Sequence, residues 1–253
     1  MAFFRGDMHS KVMELESSVS VILPQDRVAP GQHLRTLYLL HGYGENASNW
    51  MRFSSVERYA VQYGFAVVMP EVQHSYYTDM QYGMPYGTFI SEELPALCEK
   101  MFQLPADRND TFIAGLSMGG YGALKLGLGH PERFRGCASF SGVADLRGRM
   151  PRYRTLEGAN EFAAIFGKDF AVPDDGDTFL LADRVAALPE AERVAVYMAC
   201  GLQDGLLDCN HQLRDHVQTL PLTFQYEEWD GRHDFGFWDV SLQHAMAFFA
   251  QLP

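Results

Sequence analysis

Hydrophobic residues along the chain fall into short continuous runs, separated by longer stretches in which apolar positions recur at helical spacing. Eight runs are strand candidates, covering residues 11–15, 19–23, 34–40, 65–69, 111–115, 136–140, 194–199 and 222–229. The first two predict an N-terminal hairpin. The middle runs are apolar almost throughout, which is typical of parallel strands that are buried on both faces.

Helical patterns lie between these strands, at residues 49–63, 88–102, 120–128, 208–220 and 238–249. Alternation of strands and helices predicts an α/β fold with a mostly parallel, eight-stranded sheet and helices on both of its faces. We expect one domain over residues 1–253. Residues 145–189 contain no strand candidate, and so long a connection is usually functional or a separate insertion. We interpret it as a small cap or lid over the site, the alternative being a peripheral insertion without substrate contact.

Composition narrows the classes of partner. An apolar fraction of 47% is ample for a buried core, and a net charge of −12 without a basic stretch argues against nucleic acid or an anionic membrane. The densest arginine group, Arg147, Arg149, Arg152 and Arg154, predicts an exposed loop rather than a polyanion site.

The chain has no apolar run long enough to cross a membrane, and its first seven residues lack the basic start of a signal peptide. Its four cysteines, Cys98, Cys137, Cys200 and Cys209, show no metal-binding spacing. We therefore expect a cytoplasmic protein with reduced cysteines and no metal.

The most informative motif is Gly115-Leu116-Ser117-Met118-Gly119, placed between an apolar strand and a helix. A G-x-S-x-G sequence in this context indicates the nucleophile elbow of α/β-hydrolases. Small residues allow the sharp turn that lifts the hydroxyl of Ser117 above the sheet. The helix that follows directs backbone N–H groups and its positive dipole end at the site.

A nucleophilic serine needs a base and an acid, which follow it in the order Ser, Asp or Glu, His in this fold. Asp204 lies just after a late strand, where open α/β sheets place their sites. Asp208 competes for the role, although it fits better as the N-cap of the next helix. His233 is the candidate base, because it lies in a glycine-flanked loop after the last strand.

Two backbone N–H groups should stabilise the oxyanion. One belongs to Met118, directly after the nucleophile, and the other is assigned to Tyr43 in the loop His41-Gly42-Tyr43. We expect His41 to brace this loop rather than to act as a base. Aromatic residues near these loops are candidates to line the substrate pocket, with core packing as the alternative for each; the four selected are Trp50, Tyr77, Tyr86 and Phe237.

The chain resembles the esterase D family, and most closely its bacterial tributyrin esterases. The resemblance rests on residues 1–4, 18–24, 39–42, 77–80, 89–95 and 115–123, with Cys200-Gly201, Asp204, Gly231 and His233-Asp234. It implies an α/β-hydrolase fold, no cofactor, and hydrolysis of short-chain acyl esters. Three positions depart from the family pattern and could reshape the pocket: Gly205 and Gly87 stand where an aromatic residue is common, and Arg232 replaces a glycine.

The residues thus predict a serine carboxylesterase that acts on small acetyl to butyryl esters. One alternative is a thioesterase of the S-formylglutathione hydrolase type, and another is an acetyl or feruloyl esterase acting on decorated carbohydrate. A non-enzymatic binding protein is disfavoured, because candidates for all three catalytic positions are present. The expected partner is a small-molecule ester. The oligomeric state stays open, with a homo-oligomer among the alternatives.

Overall fold

A computed structural model describes residues 1–24, 34–155 and 159–252. Residues 156–158, which belong to the predicted cap, lie outside the described part of the chain. No helix within the described ranges combines the length and the apolar character needed to cross a bilayer.

One eight-stranded sheet organises the molecule. Its strands, in chain order, are β1 (Ala2–Ser10), β2 (Leu15–Leu23), β3 (Arg35–Leu40), β4 (Phe65–Pro70), β5 (Thr111–Leu116), β6 (Gly136–Phe140), β7 (Ala195–Gly201) and β8 (Phe224–Trp229). They lie in the order β1-β2-β4-β3-β5-β6-β7-β8. The neighbours from β4 through β3 to β8 are all parallel, whereas β2 pairs antiparallel with β1 and with β4. The predicted fold class is therefore confirmed.

The helices lie on both faces of this sheet. They are α1 (Asn49–Phe53), α2 (Val56–Tyr63), α3 (Tyr86–Thr88), α4 (Leu94–Phe102), α5 (Met118–Gly129), α6 (Leu146–Tyr153), α7 (Ala159–Phe166), α8 (Thr178–Ala186), α9 (Leu207–Val217) and α10 (Phe235–Ala250). A π-helical segment, Phe89–Glu93, joins α3 to α4. Three short 3-10 segments complete the described set, at Arg108–Asp110, Asp174–Gly176 and Glu190–Glu192.

Alternating side chains of the central strands pack into two separate hydrophobic cores, one on each face of the sheet. Leu37 and Leu39 pack with α1, α2 and α10 on one face, whereas Tyr38 and Leu40 pack with α4, α5, α8 and α9 on the other. Successive residues of a strand point to opposite faces, so a fully apolar strand is what two cores require. The parallel arrangement also brings the carboxyl ends of β3, β5, β6, β7 and β8 to the same edge, where the predicted site residues follow.

The N-terminal hairpin is real, but its predicted first strand is wrong. Residues 11–14 form the turn, and the strand is Ala2–Ser10, paired with β2 from Ala2 opposite Leu23 to Ser10 opposite Leu15. This strand lies at the edge of the sheet and exposes most of its side chains, so it lacks a continuous apolar run. Glu93 fixes the turn by accepting hydrogen bonds from the Ser10 hydroxyl and the Lys11 N–H.

The helix predicted over residues 49–63 is interrupted after Phe53. Ser54 adopts an extended backbone, and its hydroxyl donates to the Trp50 carbonyl 2.5 Å away. The N–H of Ser55 donates to Asp239 of α10 at 2.7 Å. Serine side chains compete in this way with the regular helical hydrogen bonds, which explains the break.

The arginine group predicted as a loop instead forms the helix α6, which contains Arg147, Arg149 and Arg152 and has Arg154 as its C-cap residue. Asp145 caps it, its carboxylate accepting a hydrogen bond from the Gly148 N–H at 2.8 Å. Elsewhere in the described part of residues 145–189 there are helices and no strand, as predicted. A second correction concerns Asp208, which lies in the first turn of α9 rather than at its N-cap, the position held by Leu206.

Candidate active site

Ser117 lies at the tight turn between β5 and α5. Its backbone has φ of 52° and ψ of −115°, a conformation that residues other than glycine seldom adopt. The surrounding chain holds this turn closed: the Ser117 N–H donates to the Phe140 carbonyl at 2.9 Å, and its own carbonyl accepts from the Tyr121 N–H at 3.1 Å. The hydroxyl therefore stands at the carboxyl edge of the sheet.

The glycines of the motif are needed for close approach of the backbone. A Cβ atom at Gly115 would lie 2.4 Å from the Gly119 carbonyl oxygen, and one at Gly119 would lie 2.6 Å from the carbonyl oxygens of Leu40 and His41. Main-chain atoms of β5, α5 and the loop after β3 thus pack without intervening side chains.

Gly119→Ala should lower the free energy of unfolding by about 3 kcal/mol, at the upper end of the range for overpacking, because backbone rather than a flexible side chain opposes the new methyl group. Urea unfolding of the purified variant measures this. Gly205→Ala is the matched control, since a Cβ there meets nothing within 4 Å. Equal stability of the two variants would contradict the close packing at the elbow.

Ser117, His233 and Asp204 lie in one hydrogen-bonded line. The Ser117 hydroxyl is 2.9 Å from Nε2 of His233, and Nδ1 of His233 is 2.8 Å from Oδ2 of Asp204. A carboxylate only accepts, so Nδ1 carries the proton and Nε2 is free to accept from the serine. The loops after β5, β7 and β8 supply the three side chains. Of the candidate acids, the structure places Asp204 and not Asp208 against His233.

Two contacts fix the orientation of these groups. Trp238 meets the His233 ring edge-on, with centroids 4.9 Å apart. The second carboxylate oxygen of Asp204 accepts from the Leu206 N–H at 2.8 Å. Burial alone would raise the pKa of the Asp204 carboxyl, but the hydrogen bond and charge of His233, with the Leu206 N–H and Ser141, outweigh it and lower that pKa below its ordinary value. The acid is thus ionised at neutral pH although its side chain is only 1% exposed.

The two residues assigned to the oxyanion hole, Tyr43 and Met118, lie in the loop after β3 and directly after Ser117. Met118 is the first residue of α5, and neither N–H donates to an acceptor within the described ranges. His41 braces this loop from below: it is 1% exposed, and its Nε2 accepts from the Val72 N–H at 3.2 Å. Burial lowers the pKa of His41 despite the nearby Glu71.

The side chain of Tyr43 joins the loop after β3 to the cap. Its ring stacks on His74 with centroids 3.9 Å apart, and its hydroxyl donates to Glu161 of α7. Burial and this hydrogen bond raise the pKa of Tyr43 to about 12. The N–H groups of Gln81 and Tyr82 also donate to carbonyls at the end of α7, at 2.9 and 2.8 Å. The segment 145–189 is therefore fastened to the body of the protein beside Ser117.

A cleft of about 470 Å³ opens above Ser117. Four of its lining residues, Arg149, Arg152, Tyr153 and Phe162, come from the segment 145–189 that was predicted to be a cap. The rest of the lining includes Tyr43, Tyr76, Val143, Leu206 and His233. The cap residues were not predicted. Their signal was the spacing of Arg149, Arg152 and Tyr153, which places them together on one side of a helix.

Three of the four predicted substrate contacts are instead core residues. Trp50, Tyr77 and Phe237 are at most 2% exposed, and none of them lines the cleft. Trp50 donates to the Leu40 carbonyl at 3.0 Å, Tyr77 donates to the His41 carbonyl at 2.8 Å, and Phe237 stacks on Trp229. We correct their role to packing beneath the site. Tyr86 lines a second cavity of about 450 Å³ on the far side of Tyr43, together with Glu45, Glu71 and Glu161.

The departures from the family pattern fall in different places. Gly205 lines the cleft and faces open space, so the missing side chain widens the cleft beside Asp204. Gly87 is packed against Asp79, away from Ser117, and Arg232 is exposed. All four cysteines are buried as free thiols. Within the described residues, no three histidine, cysteine, aspartate or glutamate side chains converge as metal ligands.

Known proteins similar to this chain are esterases and serine hydrolases. A family model described as putative esterase matches residues 10–249. An acetyl esterase of Caldicellulosiruptor saccharolyticus is 29% identical over 269 aligned positions, covering all of this chain and 99% of that protein.

Two solved structures from Staphylococcus aureus superpose over 99% of both chains. One is the fluorophosphonate-binding serine hydrolase FphF, 31% identical with a TM-score of 0.86. The other is the S-formylglutathione hydrolase FrmB, 32% identical with a TM-score of 0.83.

Proposed function

The chain belongs to the putative esterase family and is a carboxylic ester hydrolase of the α/β-hydrolase fold, and from this premise we propose that it hydrolyses short-chain acyl esters, acetyl to butyryl, with Ser117, His233 and Asp204 as its catalytic triad. The family match agrees with the resemblance to the esterase D family.

The observation that carries the proposal is the unbroken line from the Ser117 hydroxyl through His233 to a buried carboxylate, at 2.9 and 2.8 Å. His233 takes the serine proton as the oxygen attacks the ester carbonyl. Asp204 holds the imidazole in the required tautomer and stabilises the imidazolium that forms. The proton on Nε2 then passes to the leaving alcohol, and the acyl group stays on Ser117.

Water completes the reaction by the same steps. His233 removes its proton, the hydroxide attacks the acyl carbonyl, and the proton returns to the Ser117 oxygen as the acid leaves. In both halves the carbonyl oxygen becomes an oxyanion. The N–H groups of Tyr43 and Met118 are free to donate to it, and each such donor contributes about 3–4 kcal/mol to transition-state stabilisation.

The limited size of the cleft supports a preference for short acyl chains. The core closes beneath Ser117 with Trp50, Tyr77 and Phe237, and the cleft of about 470 Å³ is near the lower end of the range for small-molecule sites. Long acyl chains would exceed the space between these walls.

Hydrolysis of a 4-nitrophenyl ester series tests this function. We expect kcat/KM to be highest between acetate and butyrate and to fall by roughly tenfold or more at octanoate, because methylenes that exceed the space of the cleft clash with its walls. The release of nitrophenol measures the rates, with Ser117→Ala giving the background. A kcat/KM that rises through octanoate would contradict the short-chain assignment, and no hydrolysis of any ester would contradict the function itself.

A thioesterase of the S-formylglutathione type is the second candidate, supported by the 32% identity to FrmB over nearly the whole chain. The same triad serves both reactions, since only the leaving group differs. Comparing kcat/KM on S-formylglutathione and on 4-nitrophenyl acetate separates them. The esterase proposal predicts the higher value for the ester.

A further inference from the structure

Within the proposed esterase function, on which this inference rests, we propose that the cleft selects esters carrying a free carboxylate and that Arg149 and Arg152 of the cap bind it. Both arginines lie on α6, three residues apart, and both line the cleft that contains Ser117 and His233. Side chains at this spacing point in the same direction from a helix. The site would hold a carboxylate on one arm of the substrate while Ser117 attacks the ester.

The contrast with the other two arginines of the group supports this role. Arg147 is neutralised by Asp174 and Asp177, each 2.8 Å away. Arg154 donates to the Asp169 carbonyl and lies over the Phe170 ring at 5.3 Å. In the described ranges, by contrast, no carboxylate lies within 4.0 Å of the guanidinium of Arg149 or Arg152. Within α6, the two arginines that have no carboxylate partner in the described ranges are thus the two that line the cleft.

Arg149 is the better-enclosed member of the pair. Its Nε is buried and has no hydrogen-bond partner in the described part of the chain. The polar groups placed against its guanidinium are Tyr153 and Cys209, which carry no formal charge as neutral side chains. Pairing with a carboxylate would offset the cost of holding this half-buried charge beside neutral groups. Arg152 is exposed at the rim and can complete the site.

The cleft has room for an anion beside α6, whereas the second cavity is lined by negatively charged side chains. Gly205 faces open space in the same cleft that Arg149 and Arg152 line. Beyond Tyr43, the second cavity is lined by Glu45, Glu71 and Glu161. In a protein with net charge −12, the α6 wall therefore favours a negative group locally, and the acidic cavity repels it. Both effects direct the carboxylate toward α6.

Paired substrates test the proposal. The carboxylate is placed on the alcohol arm in 4-acetoxybenzoate, compared with its neutral methyl ester, and on the acyl arm in ethyl hydrogen succinate, compared with ethyl pentanoate. We expect wild-type kcat/KM to favour the charged member of at least one pair by roughly tenfold, the effect of one charge-assisted hydrogen-bonded contact. This preference should shrink as ionic strength rises, because salt screens the partly exposed pair.

The variants are Arg149→Gln, Arg152→Gln and the control Arg154→Gln, which removes the charge of the α6 C-cap residue, an arginine that does not line the cleft. The ratio of kcat/KM for charged and neutral substrates should fall about tenfold in each cleft variant and stay at the wild-type value in the control. Arg152 is exposed, so its variant keeps the test valid if Arg149→Gln fails to fold.

Wild-type preference for neither charged substrate, or an equal loss in Arg154→Gln, would overturn the inference. The pair that shows the preference identifies the arm of the substrate that α6 binds. Hydrolysis of the neutral members reports separately on the esterase function, so a failure of one proposal is distinguishable from a failure of the other.

Discussion

Replacing Ser117 by alanine is expected to lower kcat for 4-nitrophenyl acetate by about a million-fold, to the level of the remaining binding and oxyanion contacts. Without the hydroxyl no acyl-enzyme can form, and His233 has no proton to remove. The fold should persist, because alanine meets the same backbone demand at a φ of 52° as serine does and the side chain lost is small. Steady-state rates and urea unfolding measure the two effects.

A remote serine controls for nonspecific damage. The hydroxyl of Ser18 on β2 bonds to Asp7 at 2.5 Å, far along the sheet from the elbow, so Ser18→Ala should retain wild-type kcat. If Ser117→Ala kept even a hundredth of the activity, another residue would have to be the nucleophile. A loss of activity that tracked a loss of folded protein would contradict the expectation that the substitution acts on catalysis alone.

Asp204→Asn should lower kcat by about ten-thousand-fold, while Asp208→Asn stays within about twofold of wild type. Asparagine keeps the shape of the acid, but its amide can hold His233 in the tautomer that leaves Nε2 protonated and unable to accept from Ser117. Asp208 lies in the first turn of α9, where the helix dipole stabilises its negative charge. We therefore expect Asp208 to contribute to the stability of the fold and not to catalysis.

The pH dependence of stability tests whether ionised Asp204 also stabilises the fold. Its pKa is lower in the folded protein than its ordinary value, so ionisation stabilises the fold above that ordinary value. The contribution disappears as the pH falls through the lowered pKa. Wild type should therefore lose more stability than Asp204→Asn on acidification below about pH 4. In the comparison of kcat values, activity lost in Asp208→Asn and kept in Asp204→Asn would show that Asp208 is the acid.

Much of the fold could be predicted because buried parallel strands appear in the sequence as continuous apolar runs. Residues 136–140 were predicted with their observed bounds, since β6 has neighbours on both sides and both faces covered. The edge strand β1 could not be found in the same way. Its partner β2 provides its hydrogen bonds while most of its side chains face solvent, so backbone pairing rather than burial defines it.

In the candidate site, too, one part could be predicted from the sequence and another could not. Ser117, Asp204 and His233 follow strands whose ends share one edge, so position along the chain predicted their proximity. Lining residues depend on the direction of each side chain, which sequence position does not reveal. Trp50 comes from a helix near the site and yet points into the core, whereas Arg149 comes from a distant insertion and faces the cleft.

Covalent labelling tests the central claim, that Ser117 is the nucleophile of a serine esterase, most directly. A fluorophosphonate added to the folded protein, followed by intact-mass and peptide analysis, should give one adduct per chain, located on the peptide containing Ser117. Asp204→Asn should label far more slowly and Ser117→Ala not at all. An unlabelled wild type, or an adduct on any other residue that persists in Ser117→Ala, would contradict the assignment.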